Sequence, residues 1–255
     1  MTKLKHQIEQ AISYLQASNQ TVALTGAGVS TPSGIPDFRS PTSGVWEQYD
    51  PAEVASIYAF HENPEGFYAW LRPLAKLILA AQPNPAHTAL AQLEKYGPLE
   101  ALITQNIDML HHRAGSRSVF ELHGHLRRAT CMGCEEKFIA PKLLKAFVES
   151  GEIPRCKLCG EVLKPDVVLF GELLPLRLLK EAQMYAMTCD LMIVAGSSLE
   201  VAPAGDLPAL AKQTGARLII VNHLPTHIDH QADLLISANV AEVLPQLADP
   251  FLPML

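Results

Sequence analysis

Four cysteines stand in two identical pairs, Cys131-x-x-Cys134 and Cys156-x-x-Cys159, with 21 residues between the pairs. A Cys-x-x-Cys knuckle brings two thiolates to one ion, and two knuckles complete a tetrahedron around zinc. Two disulfides, or four ordinary buried cysteines, are the alternatives; the repeated spacing favours the metal. Four protein thiolates leave no open coordination position, so this zinc would hold structure and do no chemistry. The chemistry must be sought elsewhere, in the glycine turn Gly26-Ala27-Gly28-Val29-Ser30 and the polar run Thr104-Gln105-Asn106-Ile107-Asp108.

The glycine turn follows a short apolar run, and Gly-x-Gly at a strand end offers bare backbone N–H groups to a phosphate. A dinucleotide fingerprint would place a third glycine where Thr31 stands, and Pro32 and Pro36 forbid a long helix after the turn. An ordinary hydride-transfer dehydrogenase is therefore disfavoured, and a purely structural turn stays open. Ser33–Ser40 then mixes glycine, proline, Asp37, Phe38 and Arg39. That mixture suits a loop closing over a ligand, with Arg39 able to meet phosphate as a fork and Phe38 to cover a flat ring. Solvated loop charges are the alternative for Asp37 and Arg39. Gln105, Asn106 and Asp108 fall at the end of the strand-like Leu99–Thr104, where open α/β sheets bind ligands, although Asp108 also suits the cap of a helix at 109–114. His123-Gly124 ends another apolar run, and a histidine there can take a proton from a sugar hydroxyl. By itself His123 equally fits an ordinary hydrogen-bonded histidine. Gly196-Ser197-Ser198 and Asn222 end two further runs. The convergence of such residues at separate strand ends is what a nucleotide cleft needs.

Positioning them requires alternating elements. Strand-like runs at 21–25, 99–104, 119–122, 167–170, 191–195, 218–221 and 234–236 alternate with helical patterns near 3–18, 86–96, 175–188, 203–214 and 240–247. This predicts an α/β fold, a mostly parallel sheet with helices on both faces. Residues 37–85 carry aromatic and helical pattern without a strand. Residues 125–164 hold the cysteines around one helical stretch, 141–150. Both read as insertions forming a smaller lobe, with a cleft between lobes as the ligand site. Composition is that of a soluble globular chain, 48% hydrophobic and 18% charged over 255 residues. The formal charge of −6 argues against a general nucleic-acid binder, though an acidic rim would favour a basic peptide. Around the cysteines, Lys137, Lys142, Lys145, Arg155 and Lys157 balance Glu135, Glu136, Glu149, Glu152 and Glu161, which disfavours a DNA-binding zinc ribbon. The first ten residues are amphipathic and no run approaches the ~20 apolar residues of a membrane span. Thiolates held reduced for zinc imply the cytoplasm. Cys189 reads as a packing residue.

Taken together, these motifs and their order resemble the sirtuin family of NAD-dependent protein-lysine deacylases over nearly the whole chain. The resemblance implies a Rossmann-like lobe from 1–36, 86–124 and 165–255, a helical insertion at 37–85 and a zinc-binding module at 125–164, all one catalytic domain. It implies NAD contacts from Gly26, Ala27, Gly28, Ser30, Thr31, Asp37, Phe38, Arg39, Gln105, Asn106, Ile107, Asp108, His123, Gly196, Ser197, Ser198, Asn222 and His223. One structural zinc ion falls to Cys131, Cys134, Cys156 and Cys159. His123 and Asn106 become the catalytic pair, the first as base toward a ribose hydroxyl, the second orienting ribose or water. An acetyl-lysine peptide enters as an added strand against Val168, Phe170, Gly171 and Glu172. The implied reaction moves acetyl from lysine to ADP-ribose and releases nicotinamide, with mono-ADP-ribosyl transfer and longer-chain deacylation as alternatives. Desuccinylating members carry Tyr-x-x-Arg; here Leu71 stands three residues after Tyr68 and Arg72 is one residue late, rotated ~100° on a helix. Acetyl is therefore favoured over succinyl or malonyl. The expected protein is a cytoplasmic monomer without direct nucleic-acid or membrane contact.

Overall fold

The computed structural model describes residues 3–41 and 44–253; the first two residues of the amphipathic N-terminal stretch lie outside it, as do 42–43 and the last two. Along the chain run α1 (Lys3–Ala17), β1 (Thr21–Thr25), α2 (Pro51–Val54), α3 (Ile57–Glu62), α4 (Pro64–Ala80), α5 (Pro85–Tyr96), β2 (Leu99–Thr104), α6 (Leu110–Ala114) and β3 (Val119–Glu121). Next come β4 (Gly124–Cys131), β5 (Lys137–Ile139), α7 (Ala140–Ser150), β6 (Leu163–Val167) and α8 (Leu176–Thr188). The chain closes with β7 (Leu191–Ala195), α9 (Leu207–Gln213), β8 (Arg217–Val221), β9 (Leu234–Ile236) and α10 (Val240–Ala248).

Six strands form one sheet in the order β3-β2-β1-β7-β8-β9, and every neighbouring pair is parallel. All five residues of β1 are buried, because helices cover both faces. Ala23 packs in one core with α1, α5 and α10, while Val22 and Leu24 pack in another with α8 and α9. After β1 the chain builds β2 and β3 on one side, then crosses to build β7, β8 and β9 on the other. Strand order therefore reverses beside β1, and such a reversal opens a crevice at the carboxyl ends of the strands.

The smaller lobe joins α3, α4 and α7 to a three-stranded antiparallel sheet, β5-β4-β6. Here the structure corrects the sequence reading. The strand expected at 167–170 runs from Leu163 to Val167 and pairs with β4 in the small sheet, so the boundary expected at 164/165 falls inside a strand. Pro165, which cannot donate to a ladder, hid this strand; it is tolerated because β6 is an edge. β4 and β5 were unread because their burial is only partial and irregular. The helix expected at 203–214 begins as a 3₁₀ turn at Ala204–Asp206, with α9 following. Among the described residues no helix is long and apolar enough to cross a membrane.

Candidate active site

Between the lobes lies a cleft of about 850 Å³, and every residue expected to contact cofactor or peptide lines it. Its floor is the meeting of β1, β2 and β7. Gly26 and Gly28 press against the backbone of Gly196, where an added Cβ would come within 2.9 Å of backbone atoms. Their N–H groups donate to the carbonyls of Ala195 and Gly196, at 3.3 and 2.9 Å. The expectation of bare amides at these two glycines is thus corrected: they permit close strand approach, and their donors are already used.

A buried polar network supports the floor. Asn106 Nδ2 donates to Gly26 O (3.0 Å) and Ser30 Oγ (3.2 Å), and Ser30 Oγ donates to Asp108 Oδ2 (2.6 Å). Asp108 Oδ1 accepts from Leu110 N at 2.9 Å, but the capping alternative is corrected: the cap position of α6 falls to Met109, one residue later, and the helix starts at Leu110. Burial raises the Asp108 carboxyl above its ordinary range, opposed by the Ser30 and Leu110 hydrogen bonds. Since Asn106 is held through its nitrogen, its Oδ1, without a donor among the described residues, is left for a ligand. Gln105 Nε2 donates to Ser197 Oγ (2.8 Å), and Asn222 Nδ2 to Ser197 O (3.1 Å), tying three strand ends together.

His123 sits at this junction. One ring nitrogen, Nδ1, lies 3.0 Å from Gln105 O. A carbonyl only accepts, so Nδ1 carries the proton and Nε2 keeps its lone pair. That Nε2 is buried and has no partner among the described residues. Burial lowers the His123 pKa, Gln105 opposes and the Arg39 charge assists, so the ring is a neutral base at pH 7.

Over the floor lies the loop after the glycine turn. Asp37 accepts from the amides of Arg39 and Ser40 at 3.0 and 2.7 Å, bracing the loop from within. Phe38 lies 5.1 Å from the Trp46 ring, which stacks on Trp70. Arg39 Nε pairs with Glu200 Oε2 at 2.9 Å across the cleft mouth, while Nη1 and Nη2 have no partner among the described residues. On the peptide side, Phe170 N and O are used by Ala55 O and Ile57 N (3.0 and 2.9 Å), whereas Gly171 N–H has no partner among the described residues. Glu172 Oε2 accepts from Leu169 N (2.8 Å) and pairs with Lys164 (2.9 Å), making it a brace of the loop.

The four cysteine sulfurs lie within 4.8 Å of one another, with Cys131–Cys159 at 3.3 Å and Cys134–Cys156 at 3.6 Å. Those separations far exceed the ~2.05 Å of a disulfide and fit the ~3.8 Å edge of a tetrahedron with Zn–S bonds of ~2.3 Å. The set fits zinc. Amides of Gly133 and Cys134 lie 3.4 and 3.5 Å from Cys131 Sγ, donors that suit a metal-bound thiolate. Cys189 is buried and its thiol is pushed up to about 11 by burial, as a packing residue's should be.

Several supporting residues were not legible in the sequence. His87 Nδ1 accepts from Asn84 N within the cap of α5, leaving Nε2–H 3.5 Å from Ser30 Oγ. Thr25 Oγ1 bridges Thr104 Oγ1 (2.9 Å) and His111 Nε2 (3.0 Å), and Thr104 Oγ1 in turn accepts from Asn106 N. Asn84-Pro85 signals a helix start, but nothing local signals that its third helical residue reaches the glycine turn.

Residues 26–203 match the model of the Sir2 family. The chain is 48% identical over 247 residues to NAD-dependent protein deacylase 2 of Archaeoglobus fulgidus, covering 96% of each chain. It is 46% identical over 243 residues to NAD-dependent protein deacetylase 1 of Pyrobaculum aerophilum, covering 95% of this chain and 94% of the relative. A solved Sir2 structure with a deacetylated p53 peptide and 3′-O-acetyl ADP-ribose superposes with a TM-score of 0.90 at 42% identity, over 95% of this chain and 98% of that one.

Proposed function

The chain belongs to the Sir2 family of NAD-dependent protein deacetylases, and from that premise we propose how its own cleft removes acetyl groups from lysine. NAD, when bound, supplies a ribosyl carbon whose bond to nicotinamide breaks as the acyl oxygen approaches. The residues arranged around the cleft do the rest. His123 Nε2, neutral and unpartnered, receives the proton of a ribose hydroxyl; Gln105 O holds the ring and its tautomer while this happens. Asn106, fixed through Nδ2, presents Oδ1 to ribose or water, and Asp108 with Ile107 borders the nicotinamide end. Phe38 and Trp46 shield the reacting face from bulk water. Gly26, Ala27, Gly28, Ser30, Thr31, Gly196, Ser197, Ser198, Asn222 and His223 are assigned to the rest of the nucleotide. Arg39, held by Glu200 through Nε, keeps Nη1 and Nη2 for phosphate.

For the substrate, Gly171 N–H is the free backbone donor that an incoming strand would use, flanked by Val168 and Phe170. The acyl group meets Phe67, Leu71 and Leu74 on α4. Tyr68 donates its hydroxyl to Leu163 O (2.5 Å) and Arg72 donates to Val148 O (2.9 Å), and neither side chain lines the cleft, so neither meets an acyl carboxylate there. Short neutral acyl groups, acetyl above all, suit this pocket. Zinc, held by Cys131, Cys134, Cys156 and Cys159, keeps the small lobe in register. Reduced thiols point to a cytoplasmic protein, acting as a monomer on protein substrates and not on nucleic acid.

One observation carries the mechanism: a buried imidazole nitrogen, His123 Nε2, without a partner among the described residues, at the meeting of three strand ends. Incubation of the purified protein with an acetyl-lysine peptide and NAD, read by product mass, tests it. O-acetyl-ADP-ribose, nicotinamide and free lysine are expected; ADP-ribosylated protein without acetyl-ADP-ribose would replace this reading.

A further inference from the structure

The chain passes from the large sheet to the small one in two residues. Glu121 ends β3, beside Thr104 of β2, and Gly124 opens β4, so only Leu122 and His123 lie between the sheets. Leu122 is fully buried in the core around β1 and β7, and Leu126 is buried in the core of the small lobe. Each lobe therefore grips one side of the base, and the residues in between decide where its ring sits.

Strand pairing does not continue through this crossing. Gly124 pairs with Val167 and Ala129 with Pro165, so β4 carries extra residues there, and its pairing with β5 begins only at Arg128. Such a bulge re-aims side chains but leaves the segment without a ladder to fix it. One ion pair reaches across the gap. Arg127 donates from Nη1 to Glu121 Oε1 at 2.7 Å and from Nη2 to Oε2, closing the ends of the segment that carries His123. The Glu121 side chain is only 6% exposed, and a single guanidinium takes both of its oxygens. A guanidinium fork on a planar carboxylate fixes orientation as well as distance.

Neither side chain lines the cleft, so neither meets peptide or nucleotide there. Stability alone is a weak account of the pair, because apolar residues of similar volume often serve a fold as well as a buried ion pair does. The best-attested use of such a pair is to hold register, and the register at stake here is that of His123. Gln105 O orients its ring and Val168 N holds its carbonyl at 2.8 Å, but neither contact fixes the backbone beyond Gly124. We infer that Glu121 and Arg127 are positioning residues for the base, a clasp that keeps His123 Nε2 where the ribose hydroxyl must arrive. The inference rests on His123 acting as the base and adds the residues that aim it.

The test compares the parent with Glu121→Gln/Arg127→Met, which removes both charges together and leaves neither buried alone. Full-length, zinc-loaded protein is assayed with NAD and an acetyl-lysine peptide. In the double variant kcat should fall about tenfold, within what a misplaced catalytic group costs, while KM and NAD affinity by calorimetry stay within about twofold. Arg127→Lys keeps the charge but loses the fork, so its kcat should lie between the two; it carries the same comparison if the double variant does not fold. In a His123→Ala background the double substitution should change the residual rate by less than about twofold, because no base is left to aim. Undiminished kcat, a matching loss in KM or NAD affinity, or an equal fall without His123 would overturn the positioning role and leave the deacetylase reading intact. Parental turnover by the single His123→Ala variant would instead overturn the base itself, and the clasp with it.

Discussion

In the large lobe, β1 and β7 bury every residue between two helical layers, whereas the small sheet is divided: Leu126 and Val167 join a core with α3, α4 and α7, and the end that holds the cysteines packs on Ala129, Cys131, Ala140, Cys156 and Leu163. Burying a valine, leucine or isoleucine contributes ~1.5–3 kcal/mol, so the parallel sheet can hold itself. The cysteine-bearing end of the small sheet, with two alanines, two cysteines and one leucine at its centre, cannot. That end replaces apolar area with metal coordination, and two of its four thiols are exposed. The residues proposed as catalytic cluster on the self-sufficient side, at the ends of strands that cannot shift without disrupting the core. The substrate side depends on the stapled lobe, because β6 leads directly into Val168–Glu172.

Metal removal should therefore separate the two lobes most sharply. Structural zinc sites contribute ~10–16 kcal/mol in apparent binding free energy at neutral pH, all of it coupled to folding. Cys131→Ala is expected to lose zinc, solubility and deacetylation together, while amides of β1 and β7 stay the best protected in hydrogen exchange. A soluble, active, metal-free variant would show that the small lobe is held by packing after all. His123→Ala makes the reverse cut. It should lower kcat by roughly 10²–10⁴-fold, the usual worth of a positioned base, yet melt like the parent and still take up NAD in calorimetry. In the parent, kcat/KM should be flat near pH 7 and fall only as pH drops through the His123 pKa, which burial places below 6.5. Retained turnover in the alanine variant removes His123 from the mechanism.

The same contrast explains what could be read from the sequence. The parallel strands are continuous apolar runs bounded by glycine and polar residues, so β1, β2, β7, β8 and β9 were legible, as were the cysteine knuckles. Strands of the small sheet were not: β4 alternates irregularly and Pro165 breaks the pattern of β6. Site residues on strand ends announced themselves by type. The residues that hold them did not, since Thr25, Thr104, His87 and His111 act through contacts across 57–86 positions of sequence. Glu172 was legible as a loop residue facing substrate, but its carboxylate is spent on Leu169 and Lys164, a pairing that only the folded loop creates.

Those hidden histidines give the large lobe a pH signature of its own. Burial lowers His87 to about 4 and holds His111 well below its ordinary value of 6.5. Both are neutral in the fold. Below pH ~6.5 the unfolded chain binds protons that the folded chain refuses, so stability declines as pH falls from 6.5 toward 4 and is complete above it. For His87 alone the integral over that window is about 3 kcal/mol. Denaturant midpoints between pH 7.5 and 5 should shift accordingly, and His87→Gln should flatten the dependence. An unchanged slope in the variant would mean that another group governs acid sensitivity.

The smallest expected effect lies where the two insertions of the small lobe meet. Arg72, on α4, donates from Nε and Nη2 to Val148 O (3.1 and 2.9 Å) and from Nη2 to Glu149 O (3.2 Å), at the carboxyl end of α7. A guanidinium there satisfies carbonyls left open by the helix end and complements its dipole. Arg72→Ala should cost about 1–2 kcal/mol, the worth of charge-assisted bonds to otherwise open carbonyls. For a chain of this size that is a melting shift of about 2–8 °C. Because Arg72 faces α7 and not the cleft, the ratio of acetyl to succinyl turnover should not move. A variant that melted normally but lost discrimination against succinyl peptides would place this arginine in the acyl pocket, and the geometry of α4 would then have to rotate by a residue to bring it there.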